Sequence, residues 1–217
     1  MVAESCPARQ CRRTIPLIIG IEALAGRAFP VKTSTPTSKK VCFMSHHPPH
    51  IYLDDTWYII TASTLNHAHH LASERAKELV RDRLRELVVE YGMTLKAWVI
   101  LNNHYHLLLK TNVGADLSPF FRTLHGATSF QINGWDGTRG RQIWHNFWDT
   151  CIRDERGFWT RFNYIHQNPV KHGYVHHTAD WPFSSYHFYA RKYGDGWLAD
   201  CLREYPVLDF LEQNDDF

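Results

Sequence analysis

Several features that would place the chain in a common class are missing from its sequence. No apolar run approaches the roughly 18 residues that a membrane-spanning helix needs, so we expect a soluble, cytoplasmic protein with no membrane partner. The five cysteines are scattered and odd in number, and none has CxxC spacing, which disfavours a disulfide framework or a zinc ribbon. There is no internal repeat, which excludes solenoid and propeller architectures.

Net charge is also small, at +2, but it is unevenly distributed along the chain. Residues 1–45 hold seven Lys and Arg against two Glu, and residues 96–177 hold nine basic against five acidic residues. Residues 195–217 hold one Arg against seven acids. A basic middle fits an anionic partner such as nucleic acid, although so mild an excess also fits an ordinary solvated surface.

These shifts in composition divide the chain into three predicted parts. Residues 1–45 form a basic N-terminal extension, interpreted as disordered or as a start site placed upstream of a true beginning near Met44; a signal peptide is the less favoured alternative. Residues 46–190 form the main predicted domain, and residues 191–217 an acidic C-terminal tail. A hydrophobic content of 44% is enough for a real core in the middle part.

Two apolar runs flanking Asn102-Asn103 predict a strand hairpin over residues 94–110, with the Asn pair in a turn that uses positive φ. Side chains alternate along a strand, so His104 and His106 project from one face while Tyr105 points into a core. Two imidazoles fixed side by side can share a divalent metal, although strand histidines are often only satisfied polar residues. The pair predicts a metal site only if other ligands converge on it.

The remaining periodicity predicts the order β-α-β-β-α-β-α, an α+β, ferredoxin-like antiparallel sheet with helices packed on one face. Gly92 should end the first helix, Phe130 should face inward on the second, and Pro169 should end the third. Beyond Pro169 no clear period is visible. Besides the hairpin, the predicted elements are 56–64, 73–91, 116–133, 142–153 and 154–168.

The third predicted helix carries a candidate nucleophile and a candidate ligand. Tyr164 and Asn168 are four residues apart and therefore share a helix face. Together with His104 and His106 they could bind a divalent metal and place a phenol beside it. Each has an ordinary alternative, since Tyr164 could be a core-edge tyrosine and Asn168 the last residue before a proline.

Four segments in the same order resemble the single-tyrosine HUH transposases, and specifically the REP-associated tyrosine transposases, across roughly residues 46–190. The central residue Tyr105 departs from the usual aliphatic one, and Leu101-Asn102-Asn103 departs from the usual Met-Pro-Asn. The four segments are Asn103-His104-Tyr105-His106-Leu107-Leu108, Cys151-Ile152-Arg153-Asp154-Glu155, Tyr164-Ile165-His166-Gln167-Asn168-Pro169-Val170-Lys171-His172-Gly173 and Trp181-Pro182-Phe183-Ser184-Ser185-Tyr186.

This resemblance implies a metal-dependent endonuclease and strand transferase acting on single-stranded DNA with hairpins, as a monomer or homodimer. Tyr164 would be the nucleophile that forms a 5′-phosphotyrosine link. His104, His106 and Asn168 would hold Mg²⁺ or Mn²⁺, with Asn168 alternatively positioning the tyrosine. Candidate DNA contacts are the basic residues Arg122, Arg139, Arg141, Arg153, Arg161 and Lys171.

Two other functions fit the sequence less well. A catalytically silent palindrome-binding protein would keep the fold without the chemistry. A zinc hydrolase would draw its ligands from the paired histidines, but adjacent histidines lack the ligand spacing of a helix or strand. Those residues are His46, His47, His69, His70, His176 and His177.

Overall fold

The structure, a computed structural model, describes residues 52–207. The predicted basic extension and the end of the predicted acidic tail lie outside the described residues. Four strands form one antiparallel sheet in the order β2-β3-β1-β4. Their bounds are β1 Trp57–Thr64, β2 Thr94–Ile100, β3 His104–Lys110 and β4 Trp144–Cys151.

Helices follow the strands in the predicted order, and two more come after them. The first three are α1 Glu74–Glu90, α2 Leu117–Trp135 and α3 Glu155–Lys171; the last two are α4 Tyr186–Tyr193 and α5 Asp195–Glu204. The α+β class and the antiparallel sheet are confirmed. In the described part of the chain, no helix combines the length and apolarity that crossing a membrane requires.

The sheet separates two hydrophobic clusters. On one face, Tyr105, Leu107 and Leu109 of β3 pack with α1 and α2, as the alternation predicts. On the other face, Leu108 and neighbouring β2 residues pack against α3, α4 and α5. Helices were expected on one face of the sheet, but they cover both faces. The helical layer on the second face carries Tyr164.

The β2–β3 turn has the predicted position but not the predicted backbone. Neither Asn102 nor Asn103 has a positive φ. The turn is instead held by tertiary hydrogen bonds, since the Asn102 carbonyl accepts from the Leu71 N–H at 2.9 Å and the Asn103 carbonyl from the Thr64 N–H at 2.8 Å. The last residue of β1 and the segment that follows β1 therefore hold this turn in place. These residues are distant in sequence from the turn, so no local pattern could indicate the contacts.

The predicted end of α3 at Asn168 is wrong, because the helix continues through Pro169 to Lys171. Proline disfavours an α conformation in the residue before it but does not forbid one when tertiary contacts hold the helix. After the last helical residue, Lys171, and the cap residue His172, the chain leaves the helix at Gly173, whose φ of 68° suits glycine. The Tyr174 N–H then donates to the Pro169 carbonyl at 3.0 Å, and the Gly173 N–H to the Val170 carbonyl at 3.0 Å.

The expectation that Phe130 faces inward is also wrong, because its side chain is 81% exposed. The buried residues of α2 include Leu124, Thr128 and Ile132, which recur every four residues on a stripe that leaves Phe130 outside. The predicted helical period is correct, but the predicted buried face is wrong at Phe130. The type of a side chain does not by itself decide whether it lies on the buried face of a helix. The prediction that Gly92 ends α1 is confirmed, and the φ of Gly92 is 60°.

The segment 181–185 covers the free edge of β2. The Ile100 N–H donates to the Phe183 carbonyl at 2.9 Å, and the Ser185 N–H to the Trp98 carbonyl at 2.9 Å. The Trp181 indole N–H adds a bond to the Ile100 carbonyl at 3.1 Å. This aromatic segment, which has no sequence period, thus behaves as a short strand that protects a sheet edge.

Candidate active site

Strand β3 presents His104 and His106 on the face that α3 covers. Their ring centroids are 5.0 Å apart, and both side chains are buried, His106 completely. The residue between them, Tyr105, points to the opposite face. The predicted pairing of the two imidazoles is therefore present in the structure.

The tautomer of His104 is set by Asn103. The Asn103 Nδ2 donates to the His67 carbonyl at 3.2 Å, which turns its Oδ1 toward His104 Nδ1 at 2.7 Å. Since Oδ1 can only accept, Nδ1 must carry the proton. Nε2 then carries the lone pair of the ring. It is the atom through which this imidazole could bind a metal.

His106 has an equivalent oxygen neighbour from the adjacent strand. Thr61 on β1 pairs with His106 in the sheet register, and its Oγ1 lies 2.9 Å from Nδ1. A hydroxyl oxygen can accept a hydrogen bond from an Nδ1–H group. In that tautomer, the Nε2 lone pair of His106 could also bind a metal. Both imidazoles therefore have their Nδ1 atoms on oxygen partners.

Asn168 of α3 completes the donor set. Its Oδ1 lies 3.3 Å from His104 Nε2, and the side chain is fully buried. Two lone pairs that face each other at this distance repel unless a proton or a cation lies between them. Among the described residues, the buried Asn168 Nδ2 has no hydrogen-bond partner, so the amide is incompletely satisfied as it stands.

These residues could hold a divalent cation through two imidazole nitrogens and one amide oxygen, a set that does not by itself choose among Mg²⁺, Mn²⁺ and Zn²⁺. In the described part of the chain, no three His, Cys, Asp or Glu side chains converge to hold a metal. This result gives no support to the zinc hydrolase drawn from His69, His70, His176 and His177, while His46 and His47 lie outside the described residues. Imidazole with a carboxamide is compatible with Mg²⁺ or Mn²⁺.

Tyr164 lies beside the histidine pair. Its ring centroid is 5.1 Å from that of His106, and its side chain is 5% exposed. Lys171 Nζ lies 5.2 Å from the centre of the tyrosine ring, and the ring of His172 is 4.9 Å from that of His104. Since Lys171 and His172 are both exposed, they mark the side on which the site opens to solvent.

A buried hydrogen-bond cluster holds α3 against β2. His166 Nε2 lies 2.8 Å from Ser185 Oγ, which also accepts from the Trp98 N–H at 3.0 Å. Complete burial lowers the pKa of His166 to about 3, with a smaller contribution from His187, so the imidazole is neutral. This cluster ties the helix that carries Tyr164 to the sheet that carries the histidines.

The unusual Tyr105 has a partner behind β3. Its hydroxyl lies 2.7 Å from His125 Nε2, and the His125 ring stacks on Trp144 at 4.5 Å. The Trp144 indole N–H donates to Thr128 Oγ1 at 2.9 Å, and burial lowers the pKa of His125 to about 3. A polar residue in place of an aliphatic one is thus accommodated by three matching side chains.

The predicted DNA-contacting cations fall into two groups. Arg153 and Arg161 line one cleft near the start of α3, and Lys171 lies beside Tyr164 at the end of that helix. Arg122 is exposed on α2, and Arg139 is exposed in the turn after it. Arg141 pairs with Asp136 and Asn133.

Comparison with known proteins matches this arrangement to a family. The family model described as "Transposase IS200 like" matches residues 54–168, from the start of β1 to Asn168. The chain belongs to the IS200-like transposases. Within this family it is similar to the REP-associated tyrosine transposases.

The first such relative, from Escherichia coli K12, is 28% identical over 146 residues, which are 66% of this chain and 84% of the relative. A Haemophilus influenzae protein with the same family name is 33% identical over 132 residues, which are 52% of this chain and 74% of the relative. A solved REP-associated tyrosine transposase bound to a REP hairpin has a TM-score of 0.58 and 26% identity, covering 69% of this chain and 87% of that one. The predicted family is therefore confirmed.

Sequence reasoning missed the residues that orient the site. Asn103 lies inside the segment 103–108 that resembles the family motif. Its orientation toward His104, however, follows only from its hydrogen bond to the His67 carbonyl. Thr61 and Ser185 are 45 and 19 residues from the histidines they contact. No local pattern connects these pairs, and only the strand pairing of β1 with β3 could have indicated Thr61.

Proposed function

We propose that this IS200-like transposase is a metal-dependent single-strand endonuclease and strand transferase that acts on REP-type DNA hairpins. The observation that supports the proposal is that the Tyr164 ring lies beside the His106 ring and that Asn168 Oδ1 lies next to His104 Nε2. A single chain brings all four side chains together. The hairpin substrate is inferred from the similar transposase solved with a REP hairpin.

His104, His106 and Asn168 would hold Mg²⁺ or Mn²⁺, which when bound would withdraw charge from the scissile phosphate. The Tyr164 oxygen attacks phosphorus, forming a phosphotyrosine bond to the 5′ side as the bond to the 3′-oxygen breaks. The phenolic proton is lost in this step, and the departing 3′-oxygen gains a proton to become a free hydroxyl. Another DNA 3′-hydroxyl can reverse the reaction.

Lys171 supports this chemistry electrostatically. An ammonium group 5.2 Å from the tyrosine ring favours the phenolate that develops as the proton leaves. The ordinary pKa of a phenol, about 10, makes such assistance necessary near neutral pH. Lys171 is also exposed to solvent beside Tyr164, so it can contact phosphate as well.

The test is a denaturing gel of protein incubated with labelled single-stranded hairpin DNA and Mn²⁺. Wild-type protein should give a slower covalent band, and Tyr164→Phe should give none while still shifting the DNA on a native gel. Tyr193→Phe, which removes a phenol hydroxyl from α4, is the matched control and should keep the band. His104→Ala should lose cleavage but retain a cooperative melting transition.

Other outcomes of this gel would overturn the proposal. An undiminished covalent band from Tyr164→Phe would remove Tyr164 as the nucleophile. A native shift without any covalent band from wild-type protein, with either metal, would identify a catalytically silent palindrome-binding protein instead.

A further inference from the structure

A cleft of about 410 Å³ lies between the end of β4 and the first two turns of α3. It is separate from the pair of histidines. We call it the β4–α3 cleft; its walls are formed by Asp149, Thr150, Cys151, Ile152, Arg153, Asp154, Gly157 and Arg161.

The β4–α3 cleft is close to the candidate nucleophile along α3. Arg161 precedes Tyr164 by three residues, so the two side chains are neighbours on the helix surface. At 1.5 Å per residue, the axial separation of these residues is about 4.5 Å. Nucleotides along one strand are about 3.4 Å apart when stacked. A strand with its phosphate at Tyr164 would therefore place an adjacent nucleotide at the cleft.

The polar groups of the cleft match a nucleobase better than a phosphate. Two guanidinium groups, from Arg153 and Arg161, share its wall with the carboxylates of Asp149 and Asp154. A phosphate offers only acceptors and would be repelled by the carboxylates, whereas a base edge offers donors and acceptors together. A planar guanidinium can also stack on a base.

Gly157 makes room for one of these groups. The Arg161 guanidinium lies against it, with Nη1 3.3 Å from the Gly157 carbonyl oxygen. A Cβ at position 157 would be 3.3 Å from Nη1 and 3.2 Å from Asp154 Oδ1, tighter than ordinary contact. Burial lowers the pKa of Arg161, so this cation is partly withdrawn from water.

We propose that the β4–α3 cleft binds an unpaired nucleobase next to the scissile phosphate and so selects the sequence at the cleavage site. The proposal rests on the proposed function, because it assumes that a DNA strand passes Tyr164. It adds a base-reading site that is distinct from the metal ligands and from recognition of the hairpin stem.

The experiment measures DNA binding by fluorescence anisotropy at fixed salt, with Tyr164→Phe in every protein so that no cleavage occurs. The DNA is a hairpin with a single-stranded flank in which one position at a time is abasic. The parent protein should bind about tenfold more weakly when one particular flanking base is removed, since stacking of one base contributes a factor on the order of ten. Adding Arg161→Ala should reduce this penalty to less than about twofold.

Two further variants separate base reading from general effects. Arg156→Ala removes an exposed arginine of the same helix that does not line the cleft, and it should keep the full tenfold penalty. Gly157→Ala retains every charge but displaces the Arg161 guanidinium, so it should reduce the penalty. Melting curves confirm that each variant is folded.

The failure of the cleft and the failure of the proposed function give different results. If the parent protein binds the hairpin but the abasic penalty is equal in Arg161→Ala and Arg156→Ala, the cleft assignment is overturned and the transposase proposal stands. If the parent protein does not bind hairpin DNA at all, the proposed function fails and the cleft assignment fails with it.

Discussion

At the scale of single residues, Asn103 decides which nitrogen of His104 carries the proton. Its amide is oriented by the His67 carbonyl, and its oxygen accepts from Nδ1. Outer partners of this kind raise the basicity of a ligating imidazole and hold its ring in place. Asn103 is therefore a positioning residue for the proposed metal site.

We expect Asn103→Ala to weaken Mn²⁺ binding by roughly 10- to 100-fold, as measured by calorimetry on the DNA-free protein. The cause is the loss of the acceptor that fixes the His104 tautomer. Asn103→Asp keeps an oxygen acceptor and should restore much of the affinity, which a purely structural role would not predict. Asn112→Ala, at an exposed loop position, is the control, and equal affinity in Asn103→Ala and Asn112→Ala would contradict the assignment.

At the scale of secondary-structure elements, the position of α3 depends on a serine that follows it by 14 residues. Ser185 Oγ accepts from the Trp98 N–H and lies within hydrogen-bond distance of His166 Nε2. Its backbone N–H extends the same edge of β2. The aromatic segment 181–185 thus fixes Tyr164 relative to the histidines through contacts distant from all of them.

Ser185→Ala should lower the free energy of unfolding by roughly 1–3 kcal/mol, because it leaves buried donors on Trp98 and His166 without an acceptor. Urea denaturation measures this loss. Ser184→Ala is the matched control, since Ser184 Oγ accepts one bond, from the Tyr186 N–H at 3.1 Å. We expect it to cost about 1 kcal/mol, as the loss of one hydrogen bond. A Ser185→Ala protein as stable as wild type would show that this cluster does not hold α3.

At the scale of the whole molecule, the described chain continues its core beyond the residues that match the family model. Helix α5 packs on α3, where the Asn163 amide donates to the Cys201 and Tyr205 carbonyls at 2.9 and 2.8 Å. Leu198 is buried in the hydrophobic cluster on this face of the sheet, and Cys201 is also buried. The first part of the predicted tail is therefore structured, while residues 208–217 lie outside the described residues.

We expect a fragment of residues 46–190 to melt about 10 °C or more below a fragment of residues 46–207. Removing α5 exposes apolar surface of Trp159 and Phe162, and a few kcal/mol of lost burial gives a shift of this size in a chain of this length. Calorimetry of both fragments measures the difference. Equal melting temperatures would place the end of the stable domain near residue 190, the boundary predicted from composition.

The sequence alone determined the elements with strong periodicity and the family to which the chain belongs. Alternation along β3 placed His104 and His106 on one face, and helical spacing placed Tyr164 and Asn168 on another, because both periods are local properties of the backbone. Where a local rule competed with tertiary contacts, the sequence prediction failed, as at Pro169 and in the phase of α2 at Phe130.

Only the tertiary structure decided how these parts meet. The His104 tautomer, the Thr61 contact and the docking of α3 through Ser185 all join residues that are distant in sequence. The physical reason is that side-chain type and spacing constrain one strand or helix at a time, whereas a site depends on the relative placement of several.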